Sequence, residues 1–157
     1  MSAKSLSISL PDALTTAQHA AVLGTTVLPG DVVLLSGVVG AGKTHFARSL
    51  IQSQLSTPED VPSPTFTLVQ TYETKHGEIW HADLYRLTDA QEIEELGLTE
   101  AFETAICLIE WPDRLGDLAP QHALSLTIVD GDQPDARTLT AEWCDPRWDA
   151  KLSGWGK

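Results

Sequence analysis

The chain has 157 residues, a hydrophobic share of 42% and a formal net charge of −12. That length holds one domain with a proper core and is too short for two ordinary ones. Ten Lys plus Arg stand against 22 Asp plus Glu, with no basic stripe, so the chain alone is not expected to grip nucleic acid strongly; an acidic surface suits solubility or docking on a basic protein partner. No apolar run approaches the ~20 residues of a membrane span, and the opening MSAKSLSISL lacks a signal peptide's apolar core and cleavage pattern. Cys107 lies in an apolar run and reads as a buried thiol rather than half of a disulfide with Cys144. The expectation is a soluble cytoplasmic protein with no membrane partner.

In chain order, Leu6, Ile8 and Leu10 alternate with serines, which predicts a short strand. Pro11-Asp12 opens a helix with Leu14, Ala17, Ala21 and Val22 near helical spacing. Gly30-Asp31 turns into VVLLSG, apolar on both faces like a buried parallel strand. The segment GVVGAGKT follows at 37–44, then the helix KTHFARSLIQSQL with Phe46, Leu50 and Ile51 on one face. STPEDVPSPT is a loop by its three prolines. TFTLVQTYE and EIWHADLYRL predict a hairpin turning at Lys75-His76-Gly77. Thr88 and Gln91 have capping-box spacing ahead of the short helix AQEIEEL, and TEAFET is another short helix. AICLIE is a second fully apolar strand, ending in a carboxylate. ALSLTIVD and RTLTAEWC alternate and are expected to pair. Residues 146–157 are expected to form a loosely held tail on a domain spanning 1–145. The sum is an α/β fold, a mixed parallel and antiparallel sheet flanked by helices.

Gly37, Gly42, Lys43 and Thr44 satisfy the P-loop pattern G-x-x-x-x-G-K-[ST], with an apolar strand before it and a helix after it. Glycines let the backbone turn tightly and aim N–H groups inward, here from Gly37, Gly40, Ala41 and Gly42. The helix N-terminus adds positive potential, so a polyphosphate is the natural guest. Lys43 is expected on the β- and γ-phosphates and the Thr44 hydroxyl on Mg2+. Two carboxylates are candidates for the metal. Glu110 ends AICLIE, which puts it at the carboxyl end of the sheet, where α/β folds bind ligands. Asp83 interrupts the strand WHADLYR; the competing reading is a surface carboxylate or an ion pair with Arg86. The chain contains no asparagine, hence no N-K-x-D guanine-reading motif. Its arginines, Arg48, Arg86, Arg114, Arg137 and Arg147, are scattered rather than gathered in a phosphate-clamping lid. ATP is therefore the expected nucleotide and hydrolysis the expected reaction. A small-molecule kinase and a nucleotide-dependent interaction module with incidental hydrolysis stay open as alternatives.

GVVGAGKT, SPTFTLV, HADLYRL, EELGL and ICLIEWP occur in the order seen in the TsaE (YjeE) family, small ATPases of bacterial tRNA threonylcarbamoyladenosine synthesis, and the chain resembles that family from about Leu10 to Val129. The resemblance implies ATP binding and hydrolysis in support of a threonylcarbamoyl transferase subunit and its companion subunit, with tRNA reached only through that complex. It implies phosphate and magnesium contacts for Lys43 and Thr44 and a place beside magnesium for Glu110. Asp83 becomes the second active-site carboxylate, ligating the metal or orienting the attacking water. SPTFT resembles a switch segment in which Ser63 and Thr65 sense the γ-phosphate while Pro64 stiffens the turn. Trp111 would wall the site, and Arg137 would reach the nucleotide from the last hairpin. His81 reads as an ordinary strand histidine without chemistry. Val38 and Val39 stand where the family usually has an acidic residue and a leucine. A cradle of backbone N–H groups survives that change; a polar contact toward the switch loop or a partner does not.

Overall fold

The computed structural model describes residues 3–38, 40 and 42–156. Its centre is built from the apolar runs. β2 (Val32–Ser36) lies parallel between β5 (Ile106–Glu110) and β6 (Leu124–Asp130). β4 (Gly77–Asp83) lies parallel on the far side of β5. Antiparallel strands complete both edges: β3 (Val69–Thr74) on β4, β7 (Arg137–Trp143) on β6, and β1 (Lys4–Leu10) on β7. The seven-stranded order is β1-β7-β6-β2-β5-β4-β3.

Because successive strand residues face opposite ways, β2 and β5 feed two cores. Val33, Leu35, Ile106 and Leu108 face α1 (Ala13–Gly24) and α2 (Lys43–Gln54), where Phe46, Leu50 and Ile51 are fully buried as their spacing predicts. Val32, Leu34, Cys107 and Ile109 face α3 (Ala90–Glu95) and α4 (Leu98–Thr104) through Ile93, Leu98 and Phe102. Burial, with a smaller push from Glu78, raises the Cys107 thiol to about 12. It is a free, inert thiol, and Cys144 is free and exposed.

Three expectations are corrected. On α1 the buried residues are Thr16, Ala20, Leu23 and Gly24, while Leu14 and Val22 are exposed. The helix lies so close to α2 that a Cβ on Gly24 would come within 3.1 Å of Gln54 and Ser53. Close approach selects small residues over large ones. The capping box on α3 belongs to Asp89 and Glu92, one residue beyond the expected pair. Glu92 Oε2 also accepts from the Thr88 main chain at 2.9 Å, so Thr88 is fastened from outside the box. Third, residues 146–156 are not loose. α5 (Arg147–Lys151) and the turn after it bury Trp148 and Trp155. Their indole N–H groups donate to His122 O at 2.7 Å and His19 O at 2.9 Å. Two large aromatic anchors with answered N–H groups outweigh the polar residues around them.

Candidate nucleotide site

The register sets three positions level at the carboxyl end of the parallel strands: Leu35 on β2 and Asp83 on β4 each stand opposite Glu110 on β5. The glycine loop leaves β2 at this level and α2 begins at Lys43. Gly40 and Gly42 hold φ values of +85° and +105°, in the left-handed region that favours glycine. A Cβ at either would meet nothing within 4 Å, so the positive φ and not crowding favours glycine there. Ala41, expected among the backbone donors, and Val39 lie outside the described residues.

Lys43 is buried, and its Nζ donates to Gly37 O at 2.5 Å and Val38 O at 3.0 Å. The ammonium also lies 4.2 Å from the centroid of the Trp111 ring. Burial lowers its pKa below the ordinary lysine value, against an opposing pull from Glu110 and then Asp83. The Thr44 hydroxyl donates to Glu110 Oε1 at 2.7 Å. The other carboxylate oxygen, Oε2, is 2.7 Å from His81 Nε2. Asp83 Oδ2 accepts from the Thr65 hydroxyl, and Oδ1 from the Tyr85 main chain, both at 3.0 Å. Thr65 in turn is 2.8 Å from the Ser63 hydroxyl. Trp111 adopts φ +59°, an uncommon region for a bulky side chain, and packs 4.8 Å from Tyr85.

These groups enclose an open cleft of about 450 Å³ lined by Gly40, Gly42, Lys43, Thr44, His45, Thr65, Asp83, Tyr85, Glu110 and Trp111. Ser63 reaches it only through Thr65. Gly37 lies behind it, on a neighbouring apolar cleft shared with Val38 and Val129. Arg137 does come to the loop, donating to Gly40 O at 3.4 Å, but it borders a separate small pocket beside Gly42 and His45. The alternative ion pair between Asp83 and Arg86 does not form; Arg86 instead stacks 5.5 Å over Phe66. Sequence reasoning gave His81 no part here and did not single out Tyr85. The signal for His81 was its place two residues before Asp83, which puts both on one face of β4.

The donor set fits a magnesium-bound polyphosphate. Thr44, Asp83 and Glu110 offer hard oxygens. Among the described residues no group of three or more His, Cys, Asp and Glu could hold a metal. Magnesium is usually held by one or two carboxylates plus substrate phosphates and water.

A strand, glycine loop and helix at the carboxyl end of a parallel centre, with a carboxylate on the adjacent strand, define a P-loop NTPase fold. The crystal structure of Bacillus subtilis YdiB matches it with a TM-score of 0.81 at 26% identity, covering 99% of this chain and 96% of that one. The family described as "Threonylcarbamoyl adenosine biosynthesis protein TsaE" matches residues 10–139. Several relatives carry the name tRNA threonylcarbamoyladenosine biosynthesis protein TsaE. That of Rickettsia bellii is 41% identical over 75% of this chain and 83% of its own length. That of Bacillus subtilis is 39% identical over 72% and 71%. The chain belongs to the TsaE family, as the motifs of its sequence imply.

Proposed function

We propose that the chain binds Mg–ATP in this cleft and hydrolyses it, as the ATP-driven subunit that supports threonylcarbamoyl transfer to tRNA adenosine by a partner transferase pair. The observation that carries the reading is the 2.7 Å bond from Thr44, at the mouth of the glycine loop, to a buried carboxylate on the neighbouring strand. That pairing sets a hydroxyl and an acid beside the place where a phosphate would lie. Main-chain N–H groups of the loop hold the phosphates, and Lys43 exchanges its carbonyl contacts for phosphate oxygens. Magnesium, when bound, neutralises phosphate charge beside Thr44 and Glu110. Asp83 approaches from β4 and orients or deprotonates the attacking water. Thr65, bonded to Asp83, is positioned to sense the terminal phosphate, with Ser63 behind it. Trp111 walls the cleft, and Arg137 steadies the loop from outside it.

The acidic chain leaves tRNA to its partners. The test is ATP hydrolysis by the purified chain with and without the transferase pair. Stimulated phosphate release supports the reading. Phosphate transferred to a metabolite would replace it with a kinase. Nucleotide-dependent docking without coupled turnover would replace it with an interaction module.

A further inference from the structure

We propose that His81 is a positioning residue of the nucleotide site: its Nε2–H clamps one oxygen of Glu110 and so keeps the other committed to the Thr44 hydroxyl. The inference rests on the Mg–nucleotide reading of the cleft.

The His81 ring is fully buried, and Glu110 is buried beside it on the adjacent strand. Their contact is 2.7 Å. A carboxylate oxygen accepts, so the shared hydrogen sits on Nε2. Nδ1 is buried with no hydrogen-bond partner among the described residues. Among the described residues the ring makes one hydrogen bond, through Nε2. That contact falls on the carboxylate that Thr44 uses.

The geometry gives the contact a task. The terminal torsion of a glutamate is soft. With Oε2 released, the Glu110 carboxylate can turn and give up Thr44. With Oε2 held, Oε1 stays 2.7 Å from the Thr44 oxygen and takes its hydroxyl hydrogen. A hydroxyl has one hydrogen and two lone pairs. Once the hydrogen is committed to Glu110, the lone pairs remain for a cation. His81 thus acts on magnesium at one remove, through Glu110 and Thr44.

Two substitutions separate this role from packing. The side-chain amide of His81→Gln reaches the place of Nε2, and that of His81→Asn reaches only the place of Nδ1. ADP binding to the whole chain is measured by calorimetry with and without Mg2+. His81→Asn should raise the half-saturating Mg2+ concentration about 10–100-fold, and His81→Gln about threefold or less, the range known for groups that orient a metal's ligands. Metal-free ADP affinity should be the same in all three proteins. Nitrogen NMR of the unliganded protein should find the His81 hydrogen on Nε2. Equal effects of Gln and Asn, an equal loss of metal-free affinity in His81→Asn, or an Nε2 that carries no hydrogen would each overturn the clamp alone. Wild-type ADP affinity indifferent to Mg2+ would overturn the magnesium part of that reading and this proposal with it, and no ADP binding at all would overturn the nucleotide reading itself.

Discussion

Asp31 and Glu110 lie at opposite ends of the same sheet, 3% and 2% exposed, and the chain answers them differently. Asp31, just before β2, accepts from the Leu28 main chain at 2.9 Å, from Arg147 at 3.2 Å and from the Lys151 ammonium. Its charge is matched by two cations from α5. Glu110 receives a hydroxyl and an imidazole, and Asp83 a hydroxyl and a main-chain N–H. Lys43 turns its ammonium to loop carbonyls and makes no ion pair among the described residues. A buried charge left short of cations costs stability. One end of the sheet is closed by charges from within the chain, and the other is held ready for a cation from outside. Removing charge should therefore have opposite consequences at the two ends.

The largest effect should come from taking away the lid over the amino end. Trp148→Ala empties a fully buried site and loses the bond to His122, which should cost about 3–5 kcal/mol in urea unfolding. Magnesium-dependent ADP affinity of the folded fraction should not change; a loss there would mean that the two ends are coupled. Next comes the carboxylate itself. Asp31→Asn takes the carboxylate from Lys151 and one of two carboxylates from Arg147, which keeps Asp145; because both cations are partly exposed the cost should be about 1–2 kcal/mol, below the roughly 3–5 kcal/mol of a broken, fully buried pair.

Glu110→Gln should behave the other way. It removes a charge that pulls on the Lys43 ammonium without a direct ion pair; the amide oxygen can still accept from His81, and the new N–H2 can face the Thr44 oxygen once the hydroxyl hydrogen turns away, so urea unfolding should shift by about 1 kcal/mol or less. Binding of Mg–ADP should fall while metal-free ADP binds as before. A destabilisation as large as that of Asp31→Asn would break the comparison.

The smallest effect is one of pH. Asp149 has its pKa lowered by the Lys4 ammonium and then the Trp143 indole N–H, and Asp145 chiefly by the Arg147 main-chain N–H. Both folded values lie below 3.8, so their stabilisation is fully present above that pH and is lost as pH falls through the folded values. The indole N–H resonances of Trp148 and Trp155 should move in that acid range, before those of the carboxyl end.

The glycine loop and the parallel strands were legible because their signals are local: five consecutive apolar or small residues, then glycines, lysine and threonine at fixed spacing. The strand-terminal place of Glu110 was legible for the same reason. What escaped depends on partners distant in sequence. The buried face of α1 is chosen by how closely α2 approaches, which no periodicity within α1 records. Trp148 and Trp155 sit in a five-residue helix and a turn, too short to show a pattern. His81 looks like any strand histidine until β5 places Glu110 beside it.

The pairing of β1 with β7 sets Lys4 against Trp143. On the ribosome β1 is finished early, and its partner follows after a delay of roughly 10 s at ordinary rates of synthesis. For that interval the strand is a solitary edge in a crowded cell. Ser5, Ser7 and Ser9 alternate with Leu6, Ile8 and Leu10, and Lys4 leads them. Hydroxyls on one face and a charge at the tip make it a poor template for adhesion to other nascent chains. The polar half of β1 suits an exposed edge, and β1 keeps that place at the end of the finished sheet.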